Sequence, residues 1–338
     1  MTMTRKERCL AAIRGRQPDR IPVFPLLMYL AADRYNVSYR RFATDAAVLA
    51  EAQLNMRERF DIDAVTACSD AFRLAADLGS DMQYPEDHPP HSPPLVTDET
   101  GLRELERPDP TAPGTRMAQR CESVRRLAAA CGDNTLVLGW IDLPFAEACS
   151  LCGVQQLMVM LALDPGLAHD VLEFLTPIVI DFALAQLDAG APMIGAGDAA
   201  ASMISPPMFR EFAMPYERRV FEAIHEAGGL AKLHICGDTT GILDDMAGVG
   251  ADLYNVDHMV DFDAACRAYG DRGLCFKGNL DPVHEMMEAT PEQCERECFD
   301  RIRRAGNRPY MLSAGCEIPA AISDETFSAF CRAPQRRP

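Results

Sequence analysis

Apolar runs recur along the chain at regular intervals, and most follow a stretch with helical periodicity. They are RIPVFPLL (20–27), DAVTACSD (63–70), NTLVLGWID (134–142), APMIGAGD (191–198), GLAKLHICGD (229–238), DLYNVDH (252–258), GLCFKGNLD (273–281) and PYMLSAGC (309–316). Between them lie segments such as LAHDVLEFLTPIVIDFALAQLDAG, whose apolar positions repeat every three to four residues. Alternating strand and helix units predict a parallel sheet. Eight such units predict an α/β fold of the (β/α)8 TIM-barrel type, with residues 1–338 as a single domain. A doubly wound open sheet is the alternative, weakened by the lack of a G-x-G-x-x-G turn after the first run. Residues 85–115 are rich in proline and charge and fit no unit. They read as an insertion after the second strand, carrying a hairpin around DETG, and serve either as a cover or as a solvated decoration. The terminal APQRRP reads as disordered.

Composition narrows the function. Of the 338 residues, 48% are hydrophobic and 25% charged, as in ordinary globular proteins. The net charge of −17 repels a phosphate backbone, so no nucleic-acid partner is expected. No apolar run is long enough for a membrane helix, and the first twenty residues lack the apolar core of a signal peptide. A cytoplasmic protein without a membrane partner is expected, and a second copy of the chain is a candidate partner. The 13 cysteines are scattered, which in a reducing compartment makes them thiols or metal ligands.

The strand ends carry the candidate chemistry, because in such barrels active sites form at the C-terminal ends of the strands. Those ends supply Asp70, Asp142, Asp198, His234 with Cys236, Asp257 with His258, Asn279 with Asp281, and Cys316. His234 and Cys236 are two apart, so on a strand both face the mouth. Cys316 ends the last strand, across the mouth from the fifth. A His-Cys-Cys set leaves one zinc position open, as catalytic sites do, although each cysteine alone also reads as a small buried residue. Lys232 lies one step deeper on the same face, as a catalytic or, more simply, a salt-bridged lysine. Asp198 reads as a metal ligand, a proton acceptor, a partner for His234 or a helix cap, and Asp70 shares that ambiguity. Asp142 is placed to bind loop amides, Asp281 to form a turn, and His258 reads equally as surface or site.

Several segments resemble the uroporphyrinogen decarboxylase superfamily, and within it the methylcobalamin:coenzyme M methyltransferases. RKERCLAAIRGRQPDRIPVFP resembles the opening helix and strand, ISPPMFREFAMPY (204–216) the ISP-x-x-F-x-E-x-x-x-PY segment, and FKGNLDP (276–282) the GN-x-DP turn. GDAAASMISP (197–206) resembles the methyltransferase form, with an acidic residue ahead of ISP. The decarboxylases' arginine-rich MRQAGR segment is replaced by LLMYLAADRY, although Asp70 matches the place of the decarboxylase aspartate. LHICGD and SAGCEIP match the methyltransferases' zinc ligands, at His234, Cys236 and Cys316. The resemblance implies a zinc-dependent transfer of a methyl group from a methyl-corrinoid to a small thiol such as coenzyme M. Asp198 and Asp70 are then the catalytic candidates, and Asp142, Asn279 and His258 the substrate- or corrinoid-binding ones. A corrinoid-binding D-x-H-x-x-G segment is missing, so a separate small corrinoid-binding protein is the expected partner. A tetrapyrrole decarboxylase is the alternative enzyme, and a non-catalytic zinc- or corrinoid-binding protein is a third reading.

Overall fold

The computed structural model describes residues 2–336. Seven parallel strands form one curled sheet in chain order: β1 (Ala64–Thr66), β2 (Leu136–Asp142), β3 (Met193–Gly197), β4 (Leu230–His234), β5 (Leu253–Asn255), β6 (Cys275–Leu280) and β7 (Tyr310–Ala314). Helical segments connect them, with clear stop and start signals. Thr115 caps the Arg116–Cys131 helix, which ends at Gly132. Thr290 and Gln293 form a capping box ahead of Pro291–Ala305, which ends at Gly306.

Seven of the eight predicted strands are present. The first, 20–27, is reduced to isolated bridges from Val23 to Leu312 and from Leu26 to Glu317. Pro22 and Pro25 lack the N–H groups a full ladder needs. The segment still spans the two edges of the sheet. Phe24 donates its N–H to Leu312 O at 3.0 Å, and Asp63 donates its own to Val23 O at 2.9 Å.

The inside of the curl is filled by Phe24, Ala64, Leu136, Leu138, Met193, Leu253, Cys275 and Met311, with Cys9 and Ala12 of the Arg5–Ile13 helix packed against them. Above this plug lie Leu26, Cys68 and Trp140. The indole requires glycine at position 195, where a Cβ would come within 2.5 Å of Trp140 Cε3. A much larger apolar cluster joins the outer faces of the strands to the helices.

The insertion differs from expectation. DETG opens a short helix, Glu99–Arg103, because Asp98 accepts the N–H of Gly101. The antiparallel pairing lies earlier, between Gln83 and His91. Val96 and Leu102 are buried in the core, so the segment is packed rather than loose. The tail is ordered as far as it is described: Ala333–Gln335 is a helical turn, and Arg336 pairs with Glu295 at 2.6 Å. Residues 337–338 lie outside the described residues. Among the described residues, no single helix is long and apolar enough to cross a membrane. The Pro144–Cys152 and Val154–Leu163 helices reach that length and composition only together, and they meet at 109°.

At the N-terminal end of the sheet, Asp63 is fully buried and joins three segments. It accepts from Val23 N at 2.7 Å, Arg8 Nη1 at 2.5 Å and Arg20 Nη1 at 2.7 Å. Removing the carboxylate takes the buried anion from two guanidinium groups, leaving Arg8 with Asp19 at 2.7 Å and Arg20 with Asp61 at 3.6 Å. Asp63→Ala is expected to lower unfolding free energy by about 3–5 kcal/mol in urea titrations, and an unchanged midpoint would contradict this role.

Candidate metal centre

β4 ends at His234, and Cys236 lies two residues beyond, in the chain leaving the strand. Cys236 therefore lies past the strand rather than on it, and the two side chains still meet. His234 Nε2 is 3.1 Å from Cys236 Sγ. Cys316, two residues past β7, brings its Sγ to 3.4 Å from that of Cys236. The three ligand atoms lie within 4.8 Å of one another, and this is the one such group among the described residues.

The neighbours prepare the group for a cation. His234 is in register with Asn255 of β5, and its Nδ1–H donates to the Asn255 carbonyl at 3.3 Å. That contact leaves Nε2 free to ligate. The close sulfur–sulfur contact, with His234 alongside, lowers the Cys316 thiol and raises that of Cys236. One imidazole nitrogen and two thiols, with no fourth side chain in the group, fit zinc with an open position. The group could hold a zinc ion.

Two residues beside the ligands carried little signal in the sequence. The Asn255 amide donates to Gly315 O at 3.1 Å, fixing the approach to Cys316. Glu317 accepts the N–H of Tyr29 at 2.5 Å and so ties the chain after Cys316 to the helix Tyr29–Arg34. Burial raises its carboxyl to about 7. Lys232 is not salt-bridged. Its Nζ is buried without a hydrogen-bond partner among the described residues and sits 4.5 Å from the centroid of the Trp140 ring. Burial lowers it to about 8.

The remaining predicted residues fall into three environments. Asp70 and Asp142 share a buried arginine cluster. Asp70 accepts from Arg116 at 2.8 Å and from Ser69, which also accepts from Arg120 at 2.5 Å. Burial alone would raise the Asp70 carboxyl, but Arg116, Arg73 and Arg120 outweigh it and hold it at about 2. Asp142 pairs with Arg73 and is raised by burial to about 6. Burial, then the charge of Arg73, lowers Arg120 to about 9. No motif announced these arginines: they are scattered between positions 73 and 120 and meet only in the fold.

Asp198 belongs to the second environment. It is fully buried, and its carboxyl lies beside that of Glu217, with no side-chain donor to either among the described residues. It does not cap the helical turn that follows it. Burial pushes Asp198 up to about 7, and Glu217 rises by burial and then by the charge of Asp198. The third environment is the loop after β5. Asn279 Nδ2 donates to Val260 O at 2.6 Å, and Arg301 Nε donates to Asn279 Oδ1 at 3.1 Å, so both ends of the amide are used within the protein. His258 Nδ1 lies 2.9 Å from Asp257 Oδ1. Asp281 accepts the N–H groups of Val283 and His284, the turn role expected of it.

A curled parallel sheet with a three-ligand group beyond its strand ends defines a class of α/β barrel-type proteins with a metal-capable mouth. The profile of the uroporphyrinogen decarboxylase (URO-D) family matches residues 4–336, and the chain belongs to that family. The uroporphyrinogen decarboxylase of Nostoc punctiforme is 29% identical, over 95% of this chain and 93% of its own. That of Nocardia farcinica is 30% identical, over 91% and 88%. Among solved structures, a methyltransferase from Methanosarcina mazei aligns with a TM-score of 0.88 at 22% identity over 98% of both chains. A B12-independent methionine synthase from Shewanella sp. W3-18-1 aligns at 0.57 with 11% identity, over 93% of this chain and 94% of that one. At those identities the structural likeness is one of fold.

The Asp198–Glu217 pair makes stability depend on pH. Asp198 is raised above the ordinary carboxyl value of about 3.9, so the folded state keeps a proton that the unfolded state has lost. Stability therefore falls as pH rises from the unfolded value through about 7. Asp198→Asn is expected to flatten that fall. Thermal melts of both proteins between pH 5 and about 8 check this, and parallel curves would contradict it.

Proposed function

We propose that this protein is a zinc-dependent methyltransferase that moves a methyl group from a methyl-corrinoid to a small thiol such as coenzyme M. The observation that carries the reading is the convergence of His234, Cys236 and Cys316, with the imidazole turned by the Asn255 carbonyl so that Nε2 is the ligand. Bound zinc would act as a Lewis acid that favours the thiolate over the thiol, which is mostly protonated at pH 7. The chain's own residues do the rest. His234, Cys236 and Cys316 hold the ion, and Glu317 and Asn255 hold Cys316 in place. Asp70 and Asp142 keep the buried arginine cluster neutralised, and Asp198 with Glu217 of the Met214–Glu226 helix retains a proton in the interior.

Support also comes from the fold likeness to the Methanosarcina mazei methyltransferase. Within the reading, the chain is one (β/α)8 barrel, with the 22–26 segment in the place of the remaining strand. A small corrinoid-binding protein presents the methyl group. Met203 and Met259, exposed at 63% and 58% in the loops after β3 and β5, give such a partner apolar footing at the mouth.

Decarboxylation of a tetrapyrrole is the second reading, favoured by the curated relatives at 29% and 30% identity. It needs cationic groups free to grip several carboxylates. In the segment that replaces the arginine motif, Arg34 is spent on Asp324 at 2.6 Å and Ala320 O at 3.1 Å. Nearby, the Cys68 thiol donates to Met28 Sδ at 3.3 Å.

Metal analysis of zinc-loaded protein is expected to find about one zinc per chain, most of it lost in Cys316→Ala. Methylcobalamin is expected to be demethylated in the presence of coenzyme M or another small thiol, with the rate falling after chelation. Conversion of uroporphyrinogen with chelator present, and no metal in the loaded protein, would overturn the reading in favour of the decarboxylase.

A further inference from the structure

His258 has a geometry that thiol binding alone does not explain. It follows β5, which lies between β4, leading to Cys236, and β6, whose other neighbour β7 leads to Cys316. Its loop touches the approach to Cys316. A Cβ on Gly315 would meet His258 N at 2.3 Å and Asp257 C at 2.9 Å, so position 315 admits only glycine. The charge of Asp257 also reaches Cys236. The loop is rigidly held: Met259 N donates to Asp257 Oδ1 at 3.0 Å, and Asn279 donates to Val260 O at 2.6 Å.

The imidazole itself is held on one side only. Nδ1 is 2.9 Å from Asp257 Oδ1, while Nε2 is 3.8 Å from Asp281 Oδ2, beyond hydrogen-bond reach. Asp257 is buried, whereas the His258 side chain is 35% exposed. A buried carboxylate on one nitrogen and an accessible second nitrogen is the arrangement of a proton acceptor. The charged and titratable groups around it are Asp257 on its own loop, Asp281 after β6 with His284 behind it, and Cys316 one residue past Gly315.

We propose that His258, oriented by Asp257, accepts the proton of the incoming thiol. The inference deepens the methyltransferase reading and rests on it. The S–H bond breaks, its proton passes to Nε2, and the electron pair stays on sulfur. That pair forms the S–CH3 bond while the Co–CH3 bond breaks; its electrons go to cobalt, taking Co(III) to Co(I). The imidazolium then returns the proton to water.

The test compares a thiol that must lose a proton with one that is already ionised. Zinc-loaded wild type, His258→Gln and Asp257→Asn are mixed with coenzyme M or with 4-nitrothiophenol, the aromatic thiolate. Proton release into a weakly buffered indicator is followed by stopped flow, and methyl transfer from methylcobalamin is followed separately. His258→Gln is expected to keep its zinc, to slow both readouts about 10²-fold with coenzyme M, and to match wild type with 4-nitrothiophenol. The rising limb of the pH–rate profile should vanish in His258→Gln, and Asp257→Asn, which frees the ring to turn, should slow transfer to coenzyme M while sparing 4-nitrothiophenol. Equal slowing with both thiols, or no slowing with either, overturns the assignment of His258 while leaving the methyltransferase reading intact. A wild-type protein that releases no proton and moves no methyl group with either thiol overturns both.

Discussion

The 3.4 Å approach of Cys236 to Cys316 is the contact on which the site depends. The two residues are 80 positions apart, and their strands are not neighbours in the sheet. Only a sheet that curls through β5 and β6 brings the ends of β4 and β7 together. The curl needs a filled interior, which Met193, Leu253, Met311 and their neighbours supply, and a bridge between β7 and β1, which the Pro22–Phe24 segment supplies. Apolar burial therefore sets the distance between two polar groups that have no attraction of their own strong enough to do so.

The buried carboxyl groups past the strands show how environment separates similar residues. Asp70 and Asp198 are both buried aspartates just past strands of the sheet. Three guanidinium groups hold Asp70 at about 2, whereas Asp198, with only Glu217 beside it, rises to about 7. Desolvation acts in the same direction on both, so the sign of the neighbour decides. Asp70 is thereby fixed as an anion, suited to orienting arginines. Burial pushes the Asp198 carboxyl the other way, up to about 7, at a place shielded from water.

Much of this was legible in the sequence, for a definite reason. Alternating units and strand-end chemistry depend on local pattern, and LHICGD and SAGCE each carry their ligands within a few residues. The limits have equally definite causes. In RIPVFPLL the apolar pattern suggested a strand, but two prolines removed its donors. In DETG the turn residues suggested a hairpin, but Asp98 preferred to cap a helix. Lys232 reads in the sequence as a catalytic or salt-bridged lysine, and in the fold its ammonium group lies over an indole. The pairing of Asp198 with Glu217, or of Asp70 with Arg116, is a tertiary fact with no local trace. The sequence spacing of Asp257 and His258 placed them side by side, yet only Gly315 reveals that their loop lies against the approach to Cys316.

The two proposed chemistries place opposite demands on the same mouth. Loss of carboxylate groups calls for free cations, whereas methyl transfer to sulfur calls for a soft cation site and an apolar approach for a large organometallic donor. Around the opening of this protein, Met28 and Cys68 pack together, Trp140 fills the space above the plug, and Met203 and Met259 are exposed. The arginines that exist are turned inward. Arg73 and Arg120 are fully buried, and Arg116 reaches Asp70 and the Tyr84 hydroxyl. Exposing a fully buried guanidinium to a substrate carboxylate would require breaking the Arg73–Asp142 pair and stripping Asp142 of its cation, at several kcal/mol. The buried arginines are thus committed to Asp70 and Asp142, while His234, Cys236 and Cys316 converge beyond β4 and β7 as a group that could hold a zinc ion.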